Sequence, residues 1–135
     1  MNSSKILVTG GTGSLGSLVV GRLRAGGCNV QPLSRSERPG TVKGDLLTGE
    51  GLKQAVEGID VIIHCASKPS NPRQVDVEGT KRLLQVAERA AVSHIVFVSI
   101  VGVERKTPFA VEQLKRRPAH NRARQRVEFV HRHCQ

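Results

Sequence analysis

The stretch T-G-G-T-G-S-L-G, residues 9–16, follows the apolar run K-I-L-V, and a helix-period pattern, S-L-G-S-L-V-V-G-R-L-R-A-G-G, begins inside it. Gly11, Gly13 and Gly16 satisfy G-x-G-x-x-G, and Gly10, Gly13 and Gly16 satisfy G-x-x-G-x-x-G. Glycines permit a tight turn and let backbone N–H groups come close to a ligand, while a helix N-terminus adds unpaired donors and partial positive charge. A loop of this kind suits a pyrophosphate. Read blandly it is a tight strand-to-helix turn, but its place between an apolar run and an amphipathic segment is the context that the binding motif requires.

The rest of the chain repeats that alternation. K-I-L-V-T-G (5–10) reads as a buried strand, and Leu15, Leu18, Val19 and Leu23 fall on one helical face that Gly26 and Gly27 terminate. C-N-V-Q-P-L-S (28–34) is a weaker strand, because Pro32 lacks a ladder donor, and T-V-K-G-D-L (41–46) is a short third one. Thr48 is a cap candidate for a helix carrying Leu52, Ala55, Val56 and Ile59. D-V-I-I-H-C-A (60–66) is continuously apolar, as a strand covered on both faces should be. K-P-S-N-P-R (68–73) reads as a loop. A longer helix over 76–92 aligns Leu83, Leu84, Ala87 and Ala91, and H-I-V-F-V-S-I (94–100) is the fifth strand. Strand–helix alternation of this sort implies parallel strands with right-handed crossovers.

At 135 residues, with 38% apolar and 24% charged residues, the chain is sized and composed for one globular domain. No apolar run approaches the ~20 residues of a membrane span. M-N-S-S-K is not followed by a signal-peptide core, so the expected location is the cytoplasm. Cys28, Cys65 and Cys134 are odd in number and unpatterned, which argues for inert thiols over a disulfide framework. His64, in an apolar strand, reads as a buried, hydrogen-bonded histidine rather than a catalytic base. No His/Cys/Asp/Glu group has structural zinc spacing, H-R-H-C (131–134) included.

The motifs together resemble the atypical or extended short-chain dehydrogenase/reductase superfamily. K-I-L-V-T-G-G-T-G-S-L-G carries the resemblance, which continues through G-D-L (44–46), D-V-I-I-H-C-A-S (60–67), D-V-E-G-T-K-R-L-L (76–84) and H-I-V-F-V-S-I-V-G-V (94–103). It is greatest to the NmrA-like, NAD(P)H-binding members and covers about residues 4–109. The resemblance implies a Rossmann-like, doubly wound α/β domain, here with five parallel strands in the order 3-2-1-4-5 and an incomplete C-terminal half. It also implies roles by position. Gly10, Thr12, Gly13, Ser14, Leu15 and Gly16 would wrap the pyrophosphate, and Asp45 and Leu46 would meet the adenine. Ala66 and Ser67 would border the adenine ribose and nicotinamide side, and Ser99 would lie near the nicotinamide. At the end of the second strand, L-S-R-S-E-R-P-G offers Ser34, Arg35 and Arg38. Guanidinium groups pair strongly with phosphate, so NADP is the expected cofactor, with NAD the alternative if Glu37 holds the ribose.

Relatives commonly use a tyrosine as proton donor, with a lysine four residues later. This chain has no tyrosine; Val111 stands at that position and Lys115 at the lysine's. The expectation is a dinucleotide-binding domain (1–115) that is catalytically impaired, with no assigned catalytic residue. An active reductase or epimerase and a dinucleotide-sensing module are the alternatives. Residues 113–135 carry seven Lys and Arg against one Glu, more than half of the net charge of +10. The stretch 116–135 reads as a basic, poorly structured tail, open to three explanations: a frame shift or truncation, passive disorder, or a basic arm. Without an aromatic platform, zinc motif or helix-turn-helix, nucleic acid is not the expected partner; the dinucleotide is, with the substrate unknown.

Overall fold

The structure, a computed structural model, describes residues 3–68, 70, 73–100 and 126–132. Strand β1 (Lys5–Thr9) leads into helix α1 (Ser14–Ala25), then β2 (Asn29–Ser34), the two-residue β3 (Val42–Lys43), the single turn α2 (Leu52–Ala55) and β4 (Val61–His64). A π-helical stretch, Arg73–Gly79, runs directly into α3 (Thr80–Arg89), and β5 (His94–Ile100) and β6 (Arg126–Arg132) follow. The sheet order is β3-β2-β1-β4-β5-β6, with every pairing parallel.

Parallel strands need cover on both faces, and the apolar runs of β1 and β4 supply it in alternation. Leu7 and Ile62 face one way, into a core with Leu52 and Ala55 of α2 and Leu83 and Ala87 of α3. Val8 and Ile63 face the other way, toward Val20, Val19 and Leu23 of α1. Leu7, Ile62 and Leu83 have no exposed surface; burying a side chain of that size contributes about 1.5–3 kcal/mol. The expected Rossmann-like class and the expected order of the first five strands are both present.

Four local expectations are corrected. Leu18 is not on the buried face of α1; it is 69% exposed, and Gly16 and Val20 are the buried positions. The second helix is one turn. Gly51, at φ 75°, precedes it, and the Thr48 hydroxyl accepts from the Glu50 N–H instead of capping it. The helix expected over 76–92 begins as the π-helical stretch at Arg73 and ends at Arg89, where Ala91 takes a positive φ of 57°. Finally, the expected poorly structured tail does not extend through Arg126–Arg132. These residues form β6, in register with β5 from His94↔Arg126 to Ile100↔Arg132. The run R-V-E-F-V-H-R has the β-branched and aromatic content of a strand, which its basic flanks concealed. The boundary expected at Lys115 lies outside the described residues.

Pro32 does little harm to β2, because β3 pairs only with Leu33 and Ser34 beyond it. Helix α1 ends as expected: Cys28 N–H donates to Leu23 C=O and Gly27 N–H to Arg24 C=O, with Gly27 at φ 79°, the two bonds of a Schellman closure.

Candidate functional site

A cleft of 670 Å³ opens at the carboxyl ends of β1, β2 and β4. Strand order reverses between β1 and β4, and in open α/β sheets the crevice at such a switch point is where ligands bind.

The glycine loop forms one wall. Gly10 leaves β1 at φ 66°, and its carbonyl accepts from Gly13 N–H at 3.0 Å. The first intrahelical bond of α1 is Ser17 N–H to Gly13 C=O, and no side chain caps the helix. The N–H groups of Ser14, Leu15 and Gly16 therefore have no carbonyl within their own helix, and all three residues line the cleft. Three glycines of the loop are dictated by packing. A Cβ on Gly16 would lie 1.9 Å from the Gly10 carbonyl oxygen, one on Gly11 would lie 2.5 Å from Pro32 Cβ, and one on Gly10 would lie 2.8 Å from the backbone of Ala66. Gly13 differs: it is exposed on the cleft, and a Cβ there would meet only the Gly10 oxygen, at 3.3 Å.

The opposite wall comes from the loops after β2, β3 and β4. Arg35, just past β2, is exposed on the rim; Glu37 and Arg38 do not line the cleft. Asp45 is half-buried. Its Oδ1 accepts from Leu47 N–H at 2.8 Å, which fixes the carboxylate and leaves Oδ2 for a donor in the cleft. Leu46 is set from behind by Gly79, whose absent Cβ would lie 3.0 Å from it, and by Arg82, which donates to its carbonyl at 3.2 Å. Ser67 Oγ and Lys68 N–H both donate to the buried Asp76 carboxylate, at 3.2 and 3.0 Å.

The structure thus brings Gly10, Thr12, Gly13, Ser14, Leu15, Gly16, Arg35, Asp45, Leu46, Ala66 and Ser67 around one cleft. Ser99 is placed only by its backbone, in β5 opposite His131 of β6; its side chain, like Val111 and Lys115, lies outside the described residues. Leu33, Gly44, Leu47, Cys65, Lys68 and Val75 also line the cleft and were not anticipated. For Leu33 and Cys65 a signal existed, since both sit at the carboxyl end of a strand. His64 is buried and hydrogen-bonded, as expected, to Thr9 and Thr80. Burial lowers its pKa to about 4, so the ring is neutral at pH 7. Burial also pushes the Cys65 thiol up, away from the reactive thiolate.

The helix N-terminus, the close-packed glycines and the Asp45 carboxylate thus line one cleft. A family model described as NAD(P)H-binding matches residues 10–128. Over 115 residues the chain is 34% identical to a 3-beta-hydroxysteroid dehydrogenase of Mycolicibacterium neoaurum, a match spanning 70% of this chain and 31% of that protein. It is 32% identical over 123 residues to the photosystem II assembly factor Ycf39 of Cyanophora paradoxa, spanning 82% and 38%. A solved short-chain dehydrogenase/reductase superfamily protein from Agrobacterium tumefaciens, with bound NAD, superposes at a TM-score of 0.64 with 33% identity, over 75% of this chain and 35% of that one. The chain spans about a third of the length of the curated relatives it matches.

Proposed function

The chain belongs to the NAD(P)H-binding family within the atypical short-chain dehydrogenase/reductases, and from that premise we propose that its cleft takes NADP(H) in preference to NAD(H) and holds it without efficient hydride transfer. The cofactor class, a nicotinamide dinucleotide, follows from the family. The preference within the class rests on one observation: the side chain on the rim after β2 is Arg35, while Glu37 does not line the cleft. A carboxylate there selects the free ribose 2′-OH, whereas a guanidinium pairs with a 2′-phosphate.

The orphan N–H groups of Ser14, Leu15 and Gly16 serve the pyrophosphate, Asp45 the adenine amino group, and Ala66 and Ser67 the ribose and nicotinamide side. When bound, the dinucleotide supplies hydride chemistry; this chain supplies the cradle. A proton donor at the reacting oxygen is worth ~10²–10⁴-fold in rate, and the 135 residues contain no tyrosine. Val111, at the family's tyrosine position, cannot donate a proton. A dinucleotide-holding module is one kind of output such a chain can have, and one relative is named as an assembly factor. Another is named as a dehydrogenase, which favours the second reading, an active reductase.

Titration with NADPH and NADH, repeated on Arg35→Ala, tests the cofactor preference. NADPH should bind more tightly, and the substitution should weaken NADPH about tenfold, about 1.4 kcal/mol, while sparing NADH. Tighter NADH binding to the unmodified chain reverses the preference. Saturable NADPH consumption with any of a panel of quinones, aldehydes and nucleotide sugars decides for the reductase.

A further inference from the structure

A buried chain of hydrogen bonds runs beneath the cleft, and its proton positions can be assigned one after another. Thr80 Oγ1 lies 2.6 Å from the Asp76 carbonyl and donates to it. A hydroxyl has one proton. In the 2.9 Å contact between Thr80 Oγ1 and His64 Nε2, the ring is therefore the donor. With its proton on Nε2, the neutral imidazole accepts at Nδ1, and the partner there is the Thr9 hydroxyl of β1. Thr9 Oγ1, its proton committed to the ring, accepts from Ala66 N–H at 3.3 Å. Thr9, His64 and Thr80 are all buried, and Phe97 of β5 lies against the ring with centroids 5.3 Å apart. The tautomer sets the direction of both ring–hydroxyl bonds. If the proton sat on Nδ1, Thr9 Oγ1 would spend one of its two lone pairs on the ring and the other on Ala66 N–H, with its own proton turned away from the ring, and Thr80 would have to abandon the Asp76 carbonyl to donate to Nε2.

We propose that Thr80 is a positioning residue: by accepting from His64 Nε2 it selects the ring tautomer, and through Thr9 that tautomer holds Ala66 N–H close against Gly10, where the β1 and β4 sides of the cleft meet. A burial-lowered pKa of about 4 keeps the ring neutral, so the tautomer is its only variable. The contact at stake is close, since a Cβ on Gly10 would already lie 2.8 Å from Ala66. Neither His64 nor Thr80 lines the cleft.

The effect on affinity rests on the dinucleotide reading above; the tautomer does not. ¹⁵N spectra of histidine-labelled protein should show His64 in the Nε2–H form. Thr80→Val should shift those resonances toward the other tautomer and weaken NADPH binding about tenfold, while Thr80→Ser should restore both. If Thr80→Val does not fold, Thr80→Cys, a poorer acceptor, takes its place with the same expected order. A wild-type ring in the Nδ1–H form overturns the proposal. So does a folded valine or cysteine variant with unchanged spectrum and affinity. A wild-type chain that shows the Nε2–H signature but binds no NADPH refutes the cofactor reading and leaves the tautomer selection standing.

Discussion

Gly13 and Gly16 look equivalent in the motif, and the structure separates them. Gly16 is glycine because the Gly10 carbonyl occupies the place of its side chain. Gly13 has extended backbone, φ −83° and ψ −178°, which any residue adopts, and a Cβ there would meet only the Gly10 oxygen, at 3.3 Å. Gly13→Val should therefore leave the melting temperature within about 2 °C while weakening NADPH binding about tenfold or more by calorimetry, since the branched side chain blocks backbone approach. Gly16→Ala should instead destabilise the fold by about 2–3 kcal/mol, the usual cost of forcing atoms into a packed site. The spacing in the sequence revealed that a tight loop exists. It could not say which glycine serves the ligand and which serves the protein, because that depends on the Gly10 carbonyl and the Ala66 backbone, whose placement is tertiary. His64 also acts at this scale. Its pKa is about 4 folded against 6.5 in the unfolded chain, so between those values the unfolded state binds a proton that the folded state refuses. The His64 contribution is fully present above pH 6.5 and is lost as pH falls toward 4, by on the order of 3 kcal/mol. Urea midpoints measured from pH 7 down to pH 4 should fall accordingly, and a folded His64→Gln variant should show a flatter profile.

Among the elements, the helices were the least legible. Periodicity placed Leu15, Leu18, Val19 and Leu23 on one face, yet a helix with several leucines and valines around its circumference permits more than one phase. The packing of Gly16 on Gly10 chooses the phase, sets Val20 one turn further on against Val8 and Val30, and turns Leu18 to solvent. The third helix ends in a Schellman closure, with Val92 N–H on Ala87 C=O and Ala91 N–H on Glu88 C=O. Its C′ position is Ala91 at φ 57°, the only non-glycine described residue with positive φ. Left-handed backbone costs a residue with a Cβ about 1 kcal/mol. Ala91→Gly should thus raise stability by about 0.5–1 kcal/mol in denaturant unfolding, without changing cofactor affinity, because the site lies at the other end of the sheet. The Gly26–Gly27 ending was legible because it uses the residues that the geometry prefers; the Ala91 ending was not, because it does not.

At the scale of the whole molecule, strand order was readable because parallel pairing and right-handed crossovers leave few arrangements for alternating strands and helices. The gathering of the loops after β1, β2, β3 and β4 around one cleft follows from the same order. β6 escaped notice because charge dominated its surroundings, although the family match also runs through residue 128. A chain ending at Lys115 lacks β6 and its seven-residue register with β5. Its melting temperature should fall by more than about 5 °C, and an unchanged melt would assign the strand no part in stability. The position of β1 has one more consequence, which concerns synthesis. β1 lies between β2 and β4, and its β4 partner is 55 residues away, with Ile6 opposite Val61. A growing chain can form the β1–β2 pair early, but until residues 61–64 have left the ribosome the other edge of K-I-L-V stays bare, apolar and able to pair with any neighbouring strand. The strand that later anchors the glycine loop is thus open to misassembly during that interval.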